Sequence, residues 1–319
     1  MEIRKFLAAG LLAASMAALA GCGSGLKDTY PIEERMEGVV LPEKDSFAQA
    51  FASDLCVVTG NSPEDSAVTA EAAAVFDLDG RNVIYSKNAF ERLYPASITK
   101  VMTALVAIKY GNLADEVTVT DEAVITESGA TLAGIEPGDR LTLEQLLYGL
   151  MIPSGNDAGA AIAVHMAGSI EKFADLMNEE ARSLGAVDTH FVNPHGLTDS
   201  DHYTTAYDLY LIFNEALKQP VFRTVIGTTS YTANYHNGAG ESVSKTWSGG
   251  NWYMTGDRQE PEGLTVFGGK TGTTSAAGYC LIMASRDEQE HEYVSVVLKA
   301  DSRPGLYDNM SNIISKIVK

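Results

Sequence analysis

Two apolar periods alternate along this chain. A short apolar run at residues 72–76 meets Asp77-Leu78-Asp79-Gly80-Arg81-Asn82 and then Val83-Ile84-Tyr85. Two such runs about a turn with Asp-Gly at its centre predict a β-hairpin. Over residues 97–110 the period changes. Ile98, Val101, Met102, Leu105 and Ile108 recur at three- and four-residue steps, which predicts a helix. Ala104, Val106 and Ala107 fill its other faces, so it should be buried nearly all round. Most of residues 113–217 read as helices, clearest at 141–151, 158–167 and 170–184, the last two parted by Gly168. Beyond about Arg223 the chain turns polar and rich in Gly, Ser and Thr, which suits strands and loops. Residues 264–270, 278–285 and 293–300 then predict three strands in series, with a charged hairpin at 286–291. Tyr307, Met310, Ile313, Ile314 and Ile317 make a closing amphipathic helix. Strands at both ends with helices between them predict an α+β fold: one antiparallel sheet built from both chain ends, and a mainly helical lobe. No internal repeat is present.

The first residues are not part of that fold. Residues 1–21 read as a secretory signal: Arg4 and Lys5 form a positive start, and residues 6–20 are apolar but short for a membrane span. The stretch ends Leu19-Ala20-Gly21-Cys22, which resembles the lipobox of bacterial lipoproteins, whose cysteine is lipid-modified and becomes the new N-terminus. Residues 22–45, with Gly23-Ser24-Gly25, Pro31 and Pro42, read as a tether. Residues 46–319 are left as one domain, expected outside the cytoplasm and anchored to the bacterial membrane through Cys22.

Composition narrows the chemistry. At 45 % hydrophobic and 20 % charged, the 319 residues can bury a sizeable core, which excludes disorder. A net charge of −19 argues against a nucleic-acid partner, because neutralising phosphates takes clustered Lys and Arg. Three cysteines are too few for a disulfide scaffold; Cys56 and Cys280 are able to pair in an oxidising compartment, but two buried, inert thiols are the favoured reading. None of the six histidines has the spacing of a zinc site, so neither metal nor cofactor is expected.

Ser97-Ile98-Thr99-Lys100 opens the buried helix. A spacing of three puts hydroxyl and amine on one helical face. A lysine in an apolar, partly desolvated site has a lowered pKa and can take the serine proton. The pattern alone is weak: about one is expected by chance in such a length, and others stand at Ser24–Lys27 and Ser242–Lys245. Ser97, however, lies at a helix N-terminus, where backbone N–H groups face developing negative charge. Ser154-Gly155-Asn156 follows between two predicted helices; Ser86-Lys87-Asn88 repeats its form at the end of a strand. Lys270-Thr271-Gly272 is unique in the chain and follows Gly268-Gly269 on a predicted strand. A defined tripeptide is expected roughly 0.1 times in this length.

The three motifs, in this order and in these settings, resemble those of the serine penicillin-recognising enzymes. Among these, the chain is similar to the low-molecular-mass D-alanyl-D-alanine carboxypeptidases, over about residues 72–300. Phe191-Val192-Asn193-Pro194-His195-Gly196-Leu197, Tyr203-Thr204-Thr205-Ala206-Tyr207-Asp208 and Gly278-Tyr279 add to the likeness. The resemblance implies a β-lactamase/transpeptidase-like fold and a substrate ending in D-Ala-D-Ala on peptidoglycan stem peptides, with β-lactams as inhibitors. It implies Ser97 as nucleophile, Lys100 as base and Ser154 as proton relay beside Lys270. Asn156 would orient the substrate, and Lys270, Thr271 and Thr273, with Gly272 between them, would hold its carboxylate. The N–H groups of Ser97 and Thr273 would form the oxyanion hole, with the peptide antiparallel to the Lys270 strand. His195 is placed in a structural loop, outside catalysis. Trp247, Trp252 and Tyr253 read as local packing before a substrate wall. Other readings are a D,D-endopeptidase, a non-catalytic wall-binding module, and a class A-like β-lactamase. That last group carries a Glu-x-x-Leu-Asn segment absent between Ser154 and Lys270.

Overall fold

The computed structural model describes residues 55–318. The expected signal, the tether with Cys22, the Ser24–Lys27 pattern and the expected domain start at residue 46 all lie outside these residues.

The Asp-Gly hairpin forms as β1 (Ala72–Asp77) and β2 (Asn82–Lys87). Its turn is closed by the Asp77 carboxylate, which accepts from the Gly80 N–H at 2.7 Å. Near the other end of the chain, β7 (Leu264–Thr274), β8 (Gly278–Asp287) and β9 (Glu292–Ala300) form a meander. The two parts join through β1 and β9, giving one antiparallel sheet in the order β2-β1-β9-β8-β7. Both faces of this sheet are covered. Ala72, Ala74, Phe76, Cys280, Ile282, Ala284, Val294 and Val296 face the main core, while Ala73, Val75, Leu281, Met283 and Val297 face a second cluster. Side chains alternate faces along a strand, and burial on both sides makes these segments continuous apolar runs in the sequence.

The main core lies between the sheet and a helical lobe. Its centre is α1 (Lys100–Tyr110), in which Lys100 to Ala107 are all buried. Around it stand α2 (Leu143–Met151), α3 (Asn156–Ala167), α4 (Ile170–Ser183), α5 (Ala206–Leu217) and α6 (Pro220–Ile226). The short α7 (Trp252–Thr255) and the closing α8 (Arg303–Ile314) cover the other sheet face, where Leu306, Tyr307, Met310, Ile313 and Ile314 are buried. Trp252 stacks on Tyr307 at 4.4 Å, Tyr253 Oη meets Ser311 Oγ at 2.7 Å, and the Trp247 indole N–H donates to the Ala133 carbonyl at 2.9 Å. All three aromatics therefore pack locally. Cys56 and Cys280 are free and wholly buried, and burial raises their thiols to about 11 and about 12.

Three differences from the sequence expectation matter. A second antiparallel sheet is made of β3 (Glu116–Thr118), β4 (Arg140–Thr142), β5 (Ser230–His236) and β6 (Ser242–Ser248); β5 and β6 fall where strands and loops are expected, but β3 and β4 interrupt the region expected to be mostly helical. Three-residue strands are too short to carry a period, and β4 finds β5 only through the distant pair Arg140 and His236. The buried helix begins at Lys100, not Ser97; residues Ala96–Thr99 form a tighter 3₁₀ turn. Finally, β7 runs on to Thr274, so Lys270-Thr271-Gly272 lies inside the strand rather than at its end.

Candidate active site

The 3₁₀ turn brings Ser97 and Lys100 together, because residues three apart eclipse in that geometry. Lys100 Nζ stands 2.9 Å from Ser97 Oγ, 2.7 Å from Asn156 Oδ1 and 2.8 Å from the His195 carbonyl oxygen. The Lys100 side chain is fully buried. Burial, and then the charge of nearby Lys270, hold its amine well below the usual lysine range, with Asp157 opposing. Nζ donates to all three oxygens, and loss of one proton from this lowered amine would turn a lone pair towards the Ser97 hydroxyl.

Ser154 enters from the turn between α2 and α3. Its backbone lies in the left-handed region, at φ +65°, which is costly for a residue with a Cβ. The turn is held from both sides: Gly155 N–H donates to the Gly149 carbonyl, and Asn156 N–H to the Thr131 carbonyl. Asp157, buried in the first turn of α3, accepts from the N–H groups of Ala133, Gly134 and Ile135 at 2.7–3.2 Å. Against this turn, Lys270 of β7 places its Nζ 2.9 Å from Ser154 Oγ and 3.0 Å from the Thr271 carbonyl oxygen. Burial alone lowers the Lys270 amine to about 7. The site thus holds two serine–lysine pairs, linked by the Coulomb coupling of the two amines and by Asn156.

Gly272 sets the distance between β7 and the Ser97 turn. A Cβ built there would stand 2.9 Å from Ser97 N, 2.9 Å from the Pro95 carbonyl oxygen and 3.1 Å from Ala96 Cβ. No side chain fits in that space. Thr271 is half-buried and Thr273 exposed, on a strand that is the outermost of its sheet. Edge strands leave backbone N–H and C=O groups open to an added strand.

The structure brings Ser97, Lys100, Ser154, Asn156 and Lys270 into one connected cluster, with Gly272 against the Ser97 turn and Thr271 and Thr273 on the same strand. Two other Ser-x-x-Lys patterns stand among the described residues: Ser242–Lys245 lies on β6, where Lys245 bonds the Gly134 carbonyl instead of a serine, and at Ser169–Lys172 the serine caps α4 by accepting from the Lys172 backbone N–H. Residue types alone do not disclose the contribution of the loop at 191–202. The backbone carbonyl of His195 holds Lys100, while its ring is buried and kept neutral at about 3, chiefly by burial. Asn193 shapes this loop by accepting from the N–H groups of His195 and Gly196. The His202 ring accepts from Val192 N–H through Nδ1, so its other nitrogen carries the hydrogen and donates to Thr99 Oγ1 at 2.8 Å, inside the Ser97 turn. The loop's signal in the sequence is only its place in a stretch resembling the family.

The lowered Lys270 amine has a consequence for stability. In the unfolded chain the amine titrates near the ordinary 10.5, in the folded one near 7. Below about pH 7 both states are protonated and the full burial cost is present. Between about 7 and 10.5 the unfolded state binds more protons, so stability rises with pH, by at most about 1.4 kcal/mol per pH unit. Lys270→Met, which fills similar volume without charge, should therefore be more stable than wild type at pH 6–7, with the gap closing towards pH 10. Thermal melts of both proteins across this range check it; a gap that does not change with pH would contradict a neutral buried Lys270.

A family model described as D-alanyl-D-alanine carboxypeptidase matches residues 58–302. The carboxypeptidase DacF of Bacillus subtilis is 34 % identical over 247 residues, and DacC of Escherichia coli 34 % over 261. These alignments take in 76 % and 79 % of this chain and 60 % of each relative, so the chain spans about 60 % of the length of these relatives. The crystal structure of the Streptomyces K15 DD-transpeptidase superposes with a TM-score of 0.72 at 30 % identity, over 81 % of this chain and 98 % of that one. A D-alanyl-D-alanine carboxypeptidase from Mycobacterium tuberculosis gives 0.70 at 28 %, over 82 % and 94 %. The α+β architecture is thus the transpeptidase-like fold expected from the motifs. With the fold, the motif order and the matched length in agreement, this chain belongs to the D-alanyl-D-alanine carboxypeptidase family.

Proposed function

We propose that this chain is a serine D-alanyl-D-alanine carboxypeptidase that removes the terminal D-alanine of peptidoglycan stem peptides through an acyl-enzyme. The observation that carries this reading is the pair of buried lysines, each within 2.9 Å of a serine hydroxyl, beside an open sheet edge. The peptide adds antiparallel to β7, with its carboxylate towards Lys270, Thr271 and Thr273. Neutral Lys100 takes the Ser97 proton as Oγ bonds to the carbonyl carbon. The resulting oxyanion accepts from the N–H groups of Ser97 and Thr273. Ser154 passes a proton to the nitrogen of the leaving D-alanine, with Lys270 restoring it, and the C–N bond breaks. Water then attacks the ester, returns the Ser97 hydroxyl and frees the shortened peptide. Asn156 fixes both the Lys100 amine and the substrate amide.

The same reading places the protein outside the cytoplasm, held to the membrane by lipid on Cys22, and makes it a target of β-lactams, which mimic acyl-D-Ala-D-Ala. Among the described residues no helix is long and apolar enough to cross a membrane. After peptide cleavage D-alanine departs and opens room for water. The amine released from a β-lactam stays tethered and blocks that approach, and the segment that activates water in class A β-lactamases has no counterpart here. Penicilloyl-enzyme should therefore outlive the peptide acyl-enzyme by orders of magnitude. The test is penicilloyl-enzyme lifetime by intact mass alongside D-alanine release from a peptide ending in D-Ala-D-Ala. Rapid multiple-turnover penicillin hydrolysis with no D-alanine release would make the protein a β-lactamase.

A further inference from the structure

The residue before Ser97 has a strained backbone. Ala96 lies in the left-handed region, at φ +48°, which is costly for a residue with a Cβ. It is buried, and its carbonyl shares one rigid peptide plane with the Ser97 N–H. In the carboxypeptidase reading that N–H meets the oxyanion, so the conformation of Ala96 decides where the donor points. Released from its neighbours, the turn would relax this φ to a negative value and rotate the plane.

Two glycines grip the plane from its two ends. Gly272 of β7 stands on the nitrogen side, where a Cβ would lie 2.9 Å from Ser97 N. Gly196 stands on the carbonyl side, where a Cβ would overlap the Ala96 carbonyl group and lie 2.8 Å from Thr99 Oγ1. Gly196 is itself left-handed, at φ +86°. The loop that carries it is fastened to the Ser97 turn and to α1. Thr103 Oγ1 of α1 donates to the Pro194 carbonyl at 2.6 Å, and His202 Nε2 lies 2.8 Å from Thr99 Oγ1. The His202 ring is buried, takes the Val192 N–H on its other nitrogen and meets Phe191 edge-on at 5.5 Å, which fixes its direction.

We propose that His202, acting through Thr99, is a positioning residue for the nucleophile: it clamps the 191–202 loop onto the Ser97 turn and holds Ala96 left-handed, so that the Ser97 N–H stays aimed at the oxyanion. The proposal rests on the carboxypeptidase reading above. Neither His202 nor Thr99 touches the reacting atoms. Their effect is to keep one strained peptide from turning, and the strain makes that effect measurable. Glycine adopts a positive φ at no steric cost, so Ala96→Gly removes the strain and with it the need for the clamp.

The test is a double-mutant cycle on the rate of acylation by benzylpenicillin, with thermal melts showing that each variant folds. Thr99→Val keeps the shape of the side chain and removes the acceptor for His202. It should slow acylation about tenfold, the order expected when one buried hydrogen bond stops holding the turn. Thr99→Ser, which keeps the hydroxyl, should restore most of that loss. His202→Asn still accepts from the Val192 N–H but is too short to reach Thr99, and should behave as Thr99→Val does. In an Ala96→Gly background, Thr99→Val and His202→Asn should each cost less than about twofold, since the left-handed turn then needs no restraint. A bond that serves stability alone would lower the melting temperature and leave acylation unchanged, or slow acylation by the same factor in both backgrounds. Either result overturns the clamp and leaves the carboxypeptidase reading standing. If wild type neither takes penicillin nor releases D-alanine, both fall.

Discussion

Ser97→Ala should abolish both penicillin labelling and D-alanine release, because no second hydroxyl among the described residues reaches Lys100 Nζ; its other two partners are carbonyl-type oxygens. Intact-mass spectrometry after benzylpenicillin treatment should show one adduct on wild type, mapped to the peptide containing Ser97, and none on the variant. An adduct on Ser242 would overturn the assignment. On the proposed mechanism Lys100→Ala keeps the Ser97 nucleophile but removes its proton acceptor, so acylation should slow by at least ~10²-fold. The same change leaves Asn156 Oδ1 and the His195 carbonyl without their shared donor, at a cost of about 1–3 kcal/mol each where they stay buried. Melting the Ala variants beside the kinetics separates the two losses: Ser97→Ala should melt near wild type, Lys100→Ala lower.

Gly272→Ala is the second large effect, and it acts through geometry alone. The added methyl lies inside normal contact with the Ser97 nitrogen and the Pro95 carbonyl oxygen, both backbone atoms that cannot rotate away. β7 and the Ser97 turn must therefore separate, which moves the Ser97 and Thr273 N–H groups apart. A misplacement of about 1 Å costs on the order of 10²-fold in rate. Penicillin acylation should drop by that factor, while titration of the Lys270 amine changes little, since Lys270 meets Ser154 from the turn between α2 and α3. Wild-type acylation by a folded Gly272→Ala would show that this close approach is not what positions the oxyanion donors.

Much of this architecture is legible in the amino-acid sequence, for physical reasons visible in particular residues. The hairpin at Asp77–Asn82 is readable because Asp-Gly determines its own local geometry. The three C-terminal strands and the buried helix announce themselves through burial on every side. Two weak motifs and the rarer Lys-Thr-Gly become informative together through order and setting: a serine at a helix mouth, a serine between helices, a lysine on a strand. The second sheet stays hidden because Val117 and Leu141 are single apolar residues in three-residue strands, paired by contacts far along the chain.

The order of residues alone carries the chemical inventory: which side chains can act as nucleophile, base and relay, which segments must be buried, and where the sheet draws on both chain ends. These follow from short-range steric preference and from the hydrophobic pattern, properties each segment carries alone. Packing in three dimensions settles what the groups are. Lys100 and Lys270 are ordinary lysines in the sequence; burial among α1, α3, β7 and the 191–202 loop lowers their amines, helped at Lys100 by the charge of Lys270. The His195 carbonyl, a group every residue possesses, is a fixed acceptor because Asn193 and Gly196 shape its loop. The left-handed backbones of Ser154 and Ala96 are conformations no local preference favours. Long-range packing holds them, since desolvation and strain depend on neighbours that the linear order does not place side by side.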